Sequence, residues 1–387
     1  MHIIVAPDSF KGSLSSIQVG HAMERGILTV FPNAQVTKVP IADGGEGTID
    51  SLVIATGGRI MKTKVMGPLG DPVEARWGIL GDQKTAVIEM ATASGLPLVS
   101  NERSNPLIAS TFGTGQLIKR ALDEGIRKLI IGVGGSATND GGAGMARALG
   151  AKFLDQYGRE LPDGGAALKD LVRINLSELD SRLEETVVLV ACDVDNPLCG
   201  LHGASAVYGP QKGATPEMID ELDHALEHYA EIARLTTGKD VAQRLGAGAA
   251  GGLGAGLMIF TPAEFRPGIE IVLEATGFEV KVQLADLVIT GEGRTDFQTT
   301  NGKAPVGVAR LARKHQVPTV CLSGGLGLGH EDVLEQGIAG IMSIVPQPMT
   351  LEECLASAEE LVYRATARLC RLLRVGMNMH DVKHNNF

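Results

Sequence analysis

Cysteine is scarce in this sequence and follows no pattern. The five cysteines form no CxxC pair and no regular spacing: Cys192, Cys199, Cys321, Cys354 and Cys370. An odd number of unpatterned cysteines is typical of free thiols in a reducing compartment. We therefore expect a cytoplasmic protein.

Long apolar runs are also missing. The run at the N-terminus, His2–Ala6, is far too short for the apolar region of a signal peptide. Elsewhere too, apolar runs stay well below the length needed to span a membrane. We expect a protein that is neither exported nor embedded in a membrane.

An excess of positive charge is the third absence. The formal net charge is −10, which argues against a nucleic acid or an anionic membrane surface as the main partner. If the substrate is an anion, a few local cations must overcome this background. The motif GxxxxGK[ST] does not occur, so the chain is not a P-loop enzyme.

Glycine, in contrast, is abundant. The chain has 50 glycines among 387 residues, while aromatic side chains make up only 4%. So much glycine beside strong apolar periodicity favours many functional loops over disorder. The length favours two domains of ordinary size.

The most informative stretch is Lys128–Gly150, KLIIGVGGSATNDGGAGMARALG. Its β-branched start predicts a buried strand, and the pattern from about Ala143 predicts a helix. Backbone N–H groups of the intervening loop and the helix N-terminus can approach phosphate oxygens. We expect the loop to hold part of a phosphorylated nucleotide through Gly134, Gly135, Ser136, Thr138, Asn139, Asp140 and Gly141. A tight turn without a ligand is the alternative.

Alternating strand and helix patterns predict two α/β domains. Residues 1–60 and 285–376 together predict a doubly wound parallel sheet of five strands. Residues 61–284 begin with three strand-like runs that predict an antiparallel meander, and they contain the glycine loop. We expect them to form an inserted α/β domain with a mixed sheet, and residues 377–387 to form a polar tail.

Polar clusters follow five of the predicted strands. They are Asp8/Ser9/Lys11, Asp43/Glu46, Ser136/Thr138/Asn139/Asp140, Asp193/Asp195/Asn196 and Glu292/Arg294/Asp296. Because the carboxyl ends of parallel strands face the ligand crevice, we expect these clusters to converge in a cleft between the two domains. A turn or helix-cap role is the alternative for each Asp.

The same clusters contain what phosphoryl transfer requires. That reaction needs cations for the phosphates, carboxylates for Mg²⁺, backbone donors, and a carboxylate that orients the attacking hydroxyl. Lys11, Lys212 and Arg294 are the cations within glycine-bearing loops. A solvated surface charge is the alternative for each lysine, and a structural ion pair is the alternative for Arg294.

Two other motifs indicate different chemistry. Gly132–Ala137 fits the dinucleotide fingerprint G-x-G-x-x-A, with Asp155 at the expected distance of about twenty residues. Further polar residues separate it from the predicted helix, however, and it lies in mid-chain. His224–His228 fits the inverted zinc-protease spacing H-x-x-E-H, but both histidines fall on the acidic face of an amphipathic helix. We therefore do not expect a metalloprotease.

Five segments together resemble the bacterial type I glycerate kinases. In chain order they are Ala6–Gly12, Ala42–Gly47, Gly134–Gly142, Gly209–Gly213 and Thr290–Arg294. The resemblance extends over nearly the whole chain, without the tail. It implies ATP- and Mg²⁺-dependent phosphorylation of D-glycerate, usually at the 2-hydroxyl, to give 2-phosphoglycerate. It also implies a flavodoxin-like domain with a second α/β domain inserted.

The charged and polar side chains of these loops suggest how such a substrate is bound. The carboxylate of glycerate is expected to meet Lys11 or Arg294. Asp8, Ser9 and Asp296 are expected as further substrate-binding residues.

The remaining candidates are assigned to the reaction itself. Asp193 is expected to act as the base that orients the hydroxyl, with Lys11 and Lys212 as catalytic cations and Lys212 on the transferred phosphate. Mg²⁺ is expected near Asp43, Glu46 or Asp296. Phosphorylation at the 3-hydroxyl, an NAD-dependent oxidoreductase of small hydroxy acids, and a non-catalytic anion sensor remain as alternatives.

Overall fold

Strands and helices alternate along residues 1–384, which are the residues that the computed structural model describes. The strands are β1 (His2–Pro7), β2 (Gln35–Lys38), β3 (Arg59–Met66), β4 (Pro72–Ile79), β5 (Thr85–Glu89), β6 (Lys128–Gly132), β7 (Lys152–Leu154), β8 (Arg173–Asn175), β9 (Val187–Ala191), β10 (Ala263–Arg266), β11 (Leu287–Thr295), β12 (Thr319–Leu326) and β13 (Ile338–Ser343). The α-helices are α1 (Ser16–Val30), α2 (Thr48–Thr56), α3 (Ala91–Ser94), α4 (Phe112–Asp123), α5 (Ala143–Ala148), α6 (Ala204–Tyr208), α7 (Pro216–Thr237), α8 (Ala249–Phe260), α9 (Gly268–Ala275), α10 (Phe278–Val282), α11 (Ala304–Lys314), α12 (Leu351–Ala356) and α13 (Ala358–His384).

The chain divides into two compact units. The first unit is Met1–Asp43 together with the chain from Val272 onward, and the second unit is Gly44–Ile271. The sequence placed these boundaries near residues 60 and 285, and the structure corrects both. The first boundary lies earlier because α2 packs on the second unit's sheet, where Val53 lies against Gly78 of β4. The second lies earlier because α10 packs on α11 of the first unit.

The first unit contains a five-stranded sheet in the order β13-β12-β11-β1-β2, in which all neighbours are parallel. Counted within this unit, the order is the 2-1-3-4-5 of flavodoxin-like sheets, which confirms the expected fold class. Helices α1 and α13 pack on one face, through residues such as Val19 and Val362. Helix α11 packs on the other face through Val306 and Ala309. The order of the strands reverses at β1 and β11, where ligands of such sheets bind.

The second unit contains a six-stranded mixed sheet in the order β10-β9-β6-β5-β4-β3. Strands β3, β4 and β5 form the expected antiparallel meander, whereas β5, β6, β9 and β10 are parallel. The single tryptophan, Trp77 of β4, is fully buried in the core of this unit. The carboxyl ends of β5, β6 and β9 therefore lie side by side.

The C-terminal segment differs from expectation. The sequence predicted a polar tail over 377–387, but α13 continues to His384, and residues 385–387 lie outside the described range. The segment has neither proline nor glycine, and the single glycine directly before it, Gly376, does not end a helix. Helices long and apolar enough to cross a membrane do not occur within residues 1–384.

Two glycine-dense segments of the second unit pack backbone against backbone. A Cβ atom at Gly251 would lie 1.9 Å from the carbonyl oxygen of Thr138, and one at Gly252 would lie 2.7 Å from Cα of Gly141. Gly251 and Gly252 also have φ angles of 69° and 86°. The predicted glycine loop Gly246–Gly256 thus has a packing role, and regular helix follows it only from about Leu253.

This packing predicts a large steric effect at Gly251. Gly251→Ala should lower the thermal unfolding midpoint far more than Gly238→Ala, whose φ is 74° but whose Cβ would meet no atom within 4 Å. The control substitution bears only the left-handed strain of about 1–2 kcal/mol, whereas Gly251→Ala must also displace the Thr138 backbone. Circular dichroism melts of both variants measure the difference. Equal midpoints would show that this close approach is not a constraint.

Candidate active site

Asp8 lies at the carboxyl end of β1 in the first unit. Its N–H donates to the carbonyl oxygen of Gly291 in β11 at 2.8 Å, so it sits where the strand order reverses. The side chain is half-buried, and its Oδ1 accepts the N–H of Ser9 at 2.6 Å. The predicted substrate-binding pair Asp8 and Ser9 is therefore held in one fixed turn.

Burial and nearby charges change the pKa of Asp8. Burial, first of all, and then the negative charges of Asp43 and Glu292 raise the pKa of Asp8 to about 7. The charge of Lys11 acts in the opposite direction. The first unit thus brings together Asp8, Asp43, Lys11 and Glu292, three of which are predicted site residues.

Arg294 and Asp296 belong to the same strand end. Nε of Arg294 lies 3.2 Å from Oδ2 of Asp296, so the ion pair that the sequence offered as an alternative is present. The Arg294 side chain is nevertheless 70% exposed, whereas that of Asp296 is 14% exposed. The guanidinium therefore remains reachable for an anionic ligand.

Glu292 is a residue to which sequence reasoning gave no role, although it named the cluster around it. It is 6% exposed, and burial raises the pKa of its carboxyl. Its Oε1 accepts the hydroxyls of Thr295 and Thr299, each at 2.8 Å. The available signal was an acidic residue between two glycines at the end of an apolar strand.

The predicted nucleotide loop of the second unit divides into an outer and an inner part. Gly134 and Gly135 are exposed, whereas Ser136 is 6% exposed and residues 138–141 are buried. The carbonyl of Gly135 accepts the N–H of Leu96, which fixes the outer part. Only Gly134 and Gly135 present backbone to solvent.

Asp140 belongs to the buried inner part. Its Oδ2 accepts the N–H and the hydroxyl of Thr111, both at 2.8 Å, and the N–H of Gly144 at 3.2 Å. Its Oδ1 accepts the N–H of Gly142 at 3.1 Å. Burial raises the pKa of Asp140, and these hydrogen bonds oppose that shift.

The N-terminus of α5 is occupied by this carboxylate. The N–H groups of Gly142 and Gly144 bond to Asp140, and that of Met145 bonds to the hydroxyl of Thr111. The expectation that this helix N-terminus attracts a phosphate is corrected, because its donors already bind an anion of the chain.

Lys212 is buried as well, in the short 3₁₀ turn Pro210–Lys212. It is 1% exposed, and its Nζ donates to the carbonyl oxygen of Thr138 at 2.7 Å. Burial lowers the pKa of Lys212 to about 7, although the charge of Asp140 opposes the shift. The Lys212 ammonium group is therefore directed at the glycine loop that contains Thr138. The hydroxyl of Thr138 and Oδ1 of Asn139 are buried beside it without a hydrogen-bond partner.

Asp193 and Glu46 are both exposed residues of the second unit. Oδ1 of Asp193 accepts the N–H of Gly268, the first residue of α9, at 3.0 Å. The helix-cap alternative is thus present for Asp193, while the side chain stays accessible.

Glu89 is a second residue that sequence reasoning missed. It ends β5, is 8% exposed, and accepts the N–H of Ile49 through Oε1 at 2.7 Å. Burial, the largest effect, and the charges of Asp50 and Glu46 raise its pKa to about 7. No cluster of glycines follows β5 in the sequence, so no motif indicated a role for Glu89.

Metal-ligating side chains are not densely grouped. Within residues 1–384, no three or more His, Cys, Asp or Glu side chains are placed to hold a metal ion together. Of the predicted pair, Asp43 belongs to the first unit and Glu46 to the second.

Comparison with known proteins gives one consistent result. The model of the glycerate kinase family matches residues 3–374. A glycerate kinase of Halalkalibacterium halodurans is 53% identical over 95% of this chain and 97% of that protein. A glycerate 2-kinase of Escherichia coli is 49% identical over 97% and 99%. A crystal structure of a candidate glycerate kinase 2 from Salmonella typhimurium LT2 has a TM-score of 0.88 and 47% identity, covering 97% of this chain and 99% of that one.

The buried Lys212 predicts a pH-dependent stability. Its pKa of about 7 lies below the ordinary 10.5, so between these values the unfolded chain binds more protons. The free energy of unfolding should therefore gain up to about 1.4 kcal/mol per pH unit over this window from this group. Urea unfolding at pH 7, 8 and 9 should show a smaller rise for Lys212→Met than for the wild type. The exposed-site control Lys119→Met should keep the wild-type slope, and the same slope in all three proteins would contradict this prediction.

Proposed function

The chain belongs to the glycerate kinase family, and we propose that it transfers the γ-phosphoryl group of ATP to the 2-hydroxyl of D-glycerate. One observation of this structure supports the proposal most strongly: carboxylates and a cation meet at the point of the first unit's sheet where the strand order reverses. Such points bind ligands in open α/β sheets. The 2-hydroxyl is favoured because the Escherichia coli relative is a glycerate 2-kinase.

Exposed cations of the first unit are proposed to bind the acid. Lys11 is exposed and Arg294 is 70% exposed, so both can reach the carboxylate of glycerate. Asp8, Ser9 and Asp296 lie at the same strand ends and are proposed to complete the contacts. Charge-assisted hydrogen bonds to these cations would hold the acid in one orientation.

Exposed backbone of the second unit is proposed to bind the nucleotide. Gly134 and Gly135 are exposed, and Ser136 follows directly. Thr138, Asn139, Asp140 and Gly141 are proposed to shape this turn from beneath, since they are buried. Lys212 is proposed to hold the turn through the Thr138 carbonyl in place of the phosphate contact expected from sequence.

Mg²⁺ is proposed near Asp43 or near Glu46. The charge of Asp43 raises the pKa of Asp8, and the charge of Glu46 raises the pKa of Glu89. Each residue therefore lies among carboxylates whose mutual repulsion a divalent cation would relieve. The bound ion would neutralise charge on the phosphates of ATP.

Asp193 is proposed as the base. Asp193 is exposed, and its carboxylate is oriented by the N–H of Gly268, so we propose that it accepts the proton of the 2-hydroxyl. Removing this proton as the phosphoryl group arrives makes the hydroxyl a better nucleophile. The five cysteines are free thiols, which supports a cytoplasmic location for this enzyme.

A coupled assay for ADP tests the reaction. Purified protein with Mg²⁺–ATP should release ADP in proportion to added D-glycerate, and phosphorus NMR should place the new ester on the 2-hydroxyl. A 3-phosphate product would move the site of transfer, while NADH formation without ADP would indicate the oxidoreductase. Glycerate binding without turnover would indicate an anion sensor.

Substitution of Asp193 tests the proposed base. Asp193→Asn should lower kcat by about two to four orders of magnitude, because the amide cannot accept the proton. Asp195→Asn changes a neighbouring exposed carboxylate and should stay near wild type. If Asp193→Asn kept wild-type kcat while Asp296→Asn abolished activity, the base would have been assigned to the wrong unit.

A further inference from the structure

A glycine-rich segment crosses the strand ends of the second unit. Its residues, Gly44–Gly47, come directly before α2. A Cβ atom at Gly132, the last residue of β6, would lie 2.3 Å from the carbonyl oxygen of Gly44. A Cβ atom at Gly134 would lie 3.2 Å from Cα of Gly45. This crossing segment, Gly44–Gly47, therefore rests on the end of β6 and on the exposed part of the glycine loop.

The crossing segment has few side chains that could hold it in place. Three of its four residues are glycines, and the fourth, Glu46, is exposed. Gly44 and Gly47 have φ angles of 91° and 89°, in the left-handed region that glycine adopts readily. A segment of this kind loses much conformational freedom when it is fixed, so groups outside it have to stabilise its position.

Side-chain hydrogen bonds fix the crossing segment where it meets α2. The hydroxyl of Thr48, which is fully buried, donates to the carbonyl oxygen of Gly45 at 2.8 Å. The N–H of Ile49, in the first turn of α2, donates to Oε1 of Glu89 at 2.7 Å. The N-cap residue Gly47 offers no side chain for this N–H, and the first N–H groups of a helix have no acceptor within the helix. Glu89 thus caps α2 from a strand of the sheet.

Glu89 is itself held in place by the sheet. It is the last residue of β5, pairs in register with Gly132, and is 8% exposed. The following residue, Met90, donates its N–H to the carbonyl oxygen of Gly132 at 3.0 Å. Glu89 therefore connects α2 to the same strand end on which Gly44 rests, so both ends of the crossing segment are fixed against one part of the sheet.

We propose that Glu89 is a positioning residue for Mg²⁺–ATP. By capping α2, it holds the crossing segment so that Glu46 stays next to the exposed glycines Gly134 and Gly135. The candidate metal-binding carboxylate and the candidate phosphate-binding backbone then keep one relative position before the ligand arrives, which lowers the cost of binding. Glu89 does not touch the ligand. This inference rests on the proposed binding of the nucleotide at the glycine loop.

Two substitutions of Glu89 test the inference. Glu89→Ala removes the acceptor of the Ile49 N–H and should raise KM for Mg²⁺–ATP about 10-fold, the effect of one lost hydrogen bond at a buried site. KM for D-glycerate, which is proposed to bind to the first unit, should change less than about twofold. Glu89→Gln keeps an oxygen acceptor for Ile49 and should restore KM for Mg²⁺–ATP to within about threefold of the wild type. Initial-rate kinetics with each substrate varied measures these constants.

Measurements without turnover check the same hydrogen bond. Calorimetric titration with Mg²⁺–ADP should give the tightest binding for the wild type, slightly weaker binding for Glu89→Gln and the weakest for Glu89→Ala. The amide hydrogen of Ile49 should exchange faster in Glu89→Ala and at close to the wild-type rate in Glu89→Gln, because only the first variant lacks its acceptor. Both readouts remain informative if the wild-type protein releases no ADP with D-glycerate, a result that would contradict the proposed function alone.

Further variants separate positioning from folding. Thr48→Val removes the hydroxyl bond to Gly45 and should also raise KM for Mg²⁺–ATP, so the inference remains testable if Glu89→Ala does not fold. Glu74→Gln alters an exposed acid of the same sheet and should keep both wild-type KM values. Thermal melts establish that each variant is folded.

Other results would overturn the inference. If Glu89→Gln were as damaging as Glu89→Ala, the carboxylate would act directly, as a metal ligand or a proton carrier. Equal rises in both KM values, or no rise in either, would show that the crossing segment does not position the nucleotide. A wild-type protein that does not bind Mg²⁺–ADP would lead to the same conclusion.

Discussion

The conformation of the glycine loop depends on the hydrogen bonds that the buried Asp140 carboxylate accepts within the second unit. Burying a carboxylate that is 1% exposed is costly unless its oxygens are hydrogen-bonded, and four donors from Thr111, Gly142 and Gly144 meet this need. The bonds tie the start of α4 to the start of α5. The donors at the start of α5 are therefore already engaged by a carboxylate of the chain.

Glycine serves two different purposes in this loop. At Gly134 and Gly135 its value is exposed backbone, at Gly141 it makes room for the Tyr229 side chain, and at Gly142 it allows another backbone to approach. A Cβ at Gly142 would lie 2.9 Å from Cα of Gly256. The abundance of glycine therefore reflects close packing as well as exposed loop backbone.

The sheets could be predicted from the sequence, since apolar periodicity marks strands and their order determines a parallel or antiparallel sheet. The domain boundary could not be predicted, because periodicity identifies α2 as a helix without indicating which sheet it packs on. Acidic residues at strand ends, such as Asp8, could also be predicted, because apolar periodicity shows where each strand ends. The burial of Lys212 could not be predicted, because its acceptor, the carbonyl oxygen of Thr138, is 74 residues away in the sequence. The contact between Asp140 and Thr111, which are 29 residues apart, could not be predicted for the same reason.

The distribution of charge in the first unit reconciles an acidic protein with anionic substrates. Its strand ends place the carboxylates of Asp8 and Glu292 inward and the cations Lys11 and Arg294 outward. Because its pKa is raised to about 7, Asp8 is partly protonated at neutral pH. Burial therefore removes part of the negative charge that would repel an approaching acid. An acid bound beside Asp8 would in turn favour the protonated carboxyl, so anion binding and proton uptake at this strand end are linked.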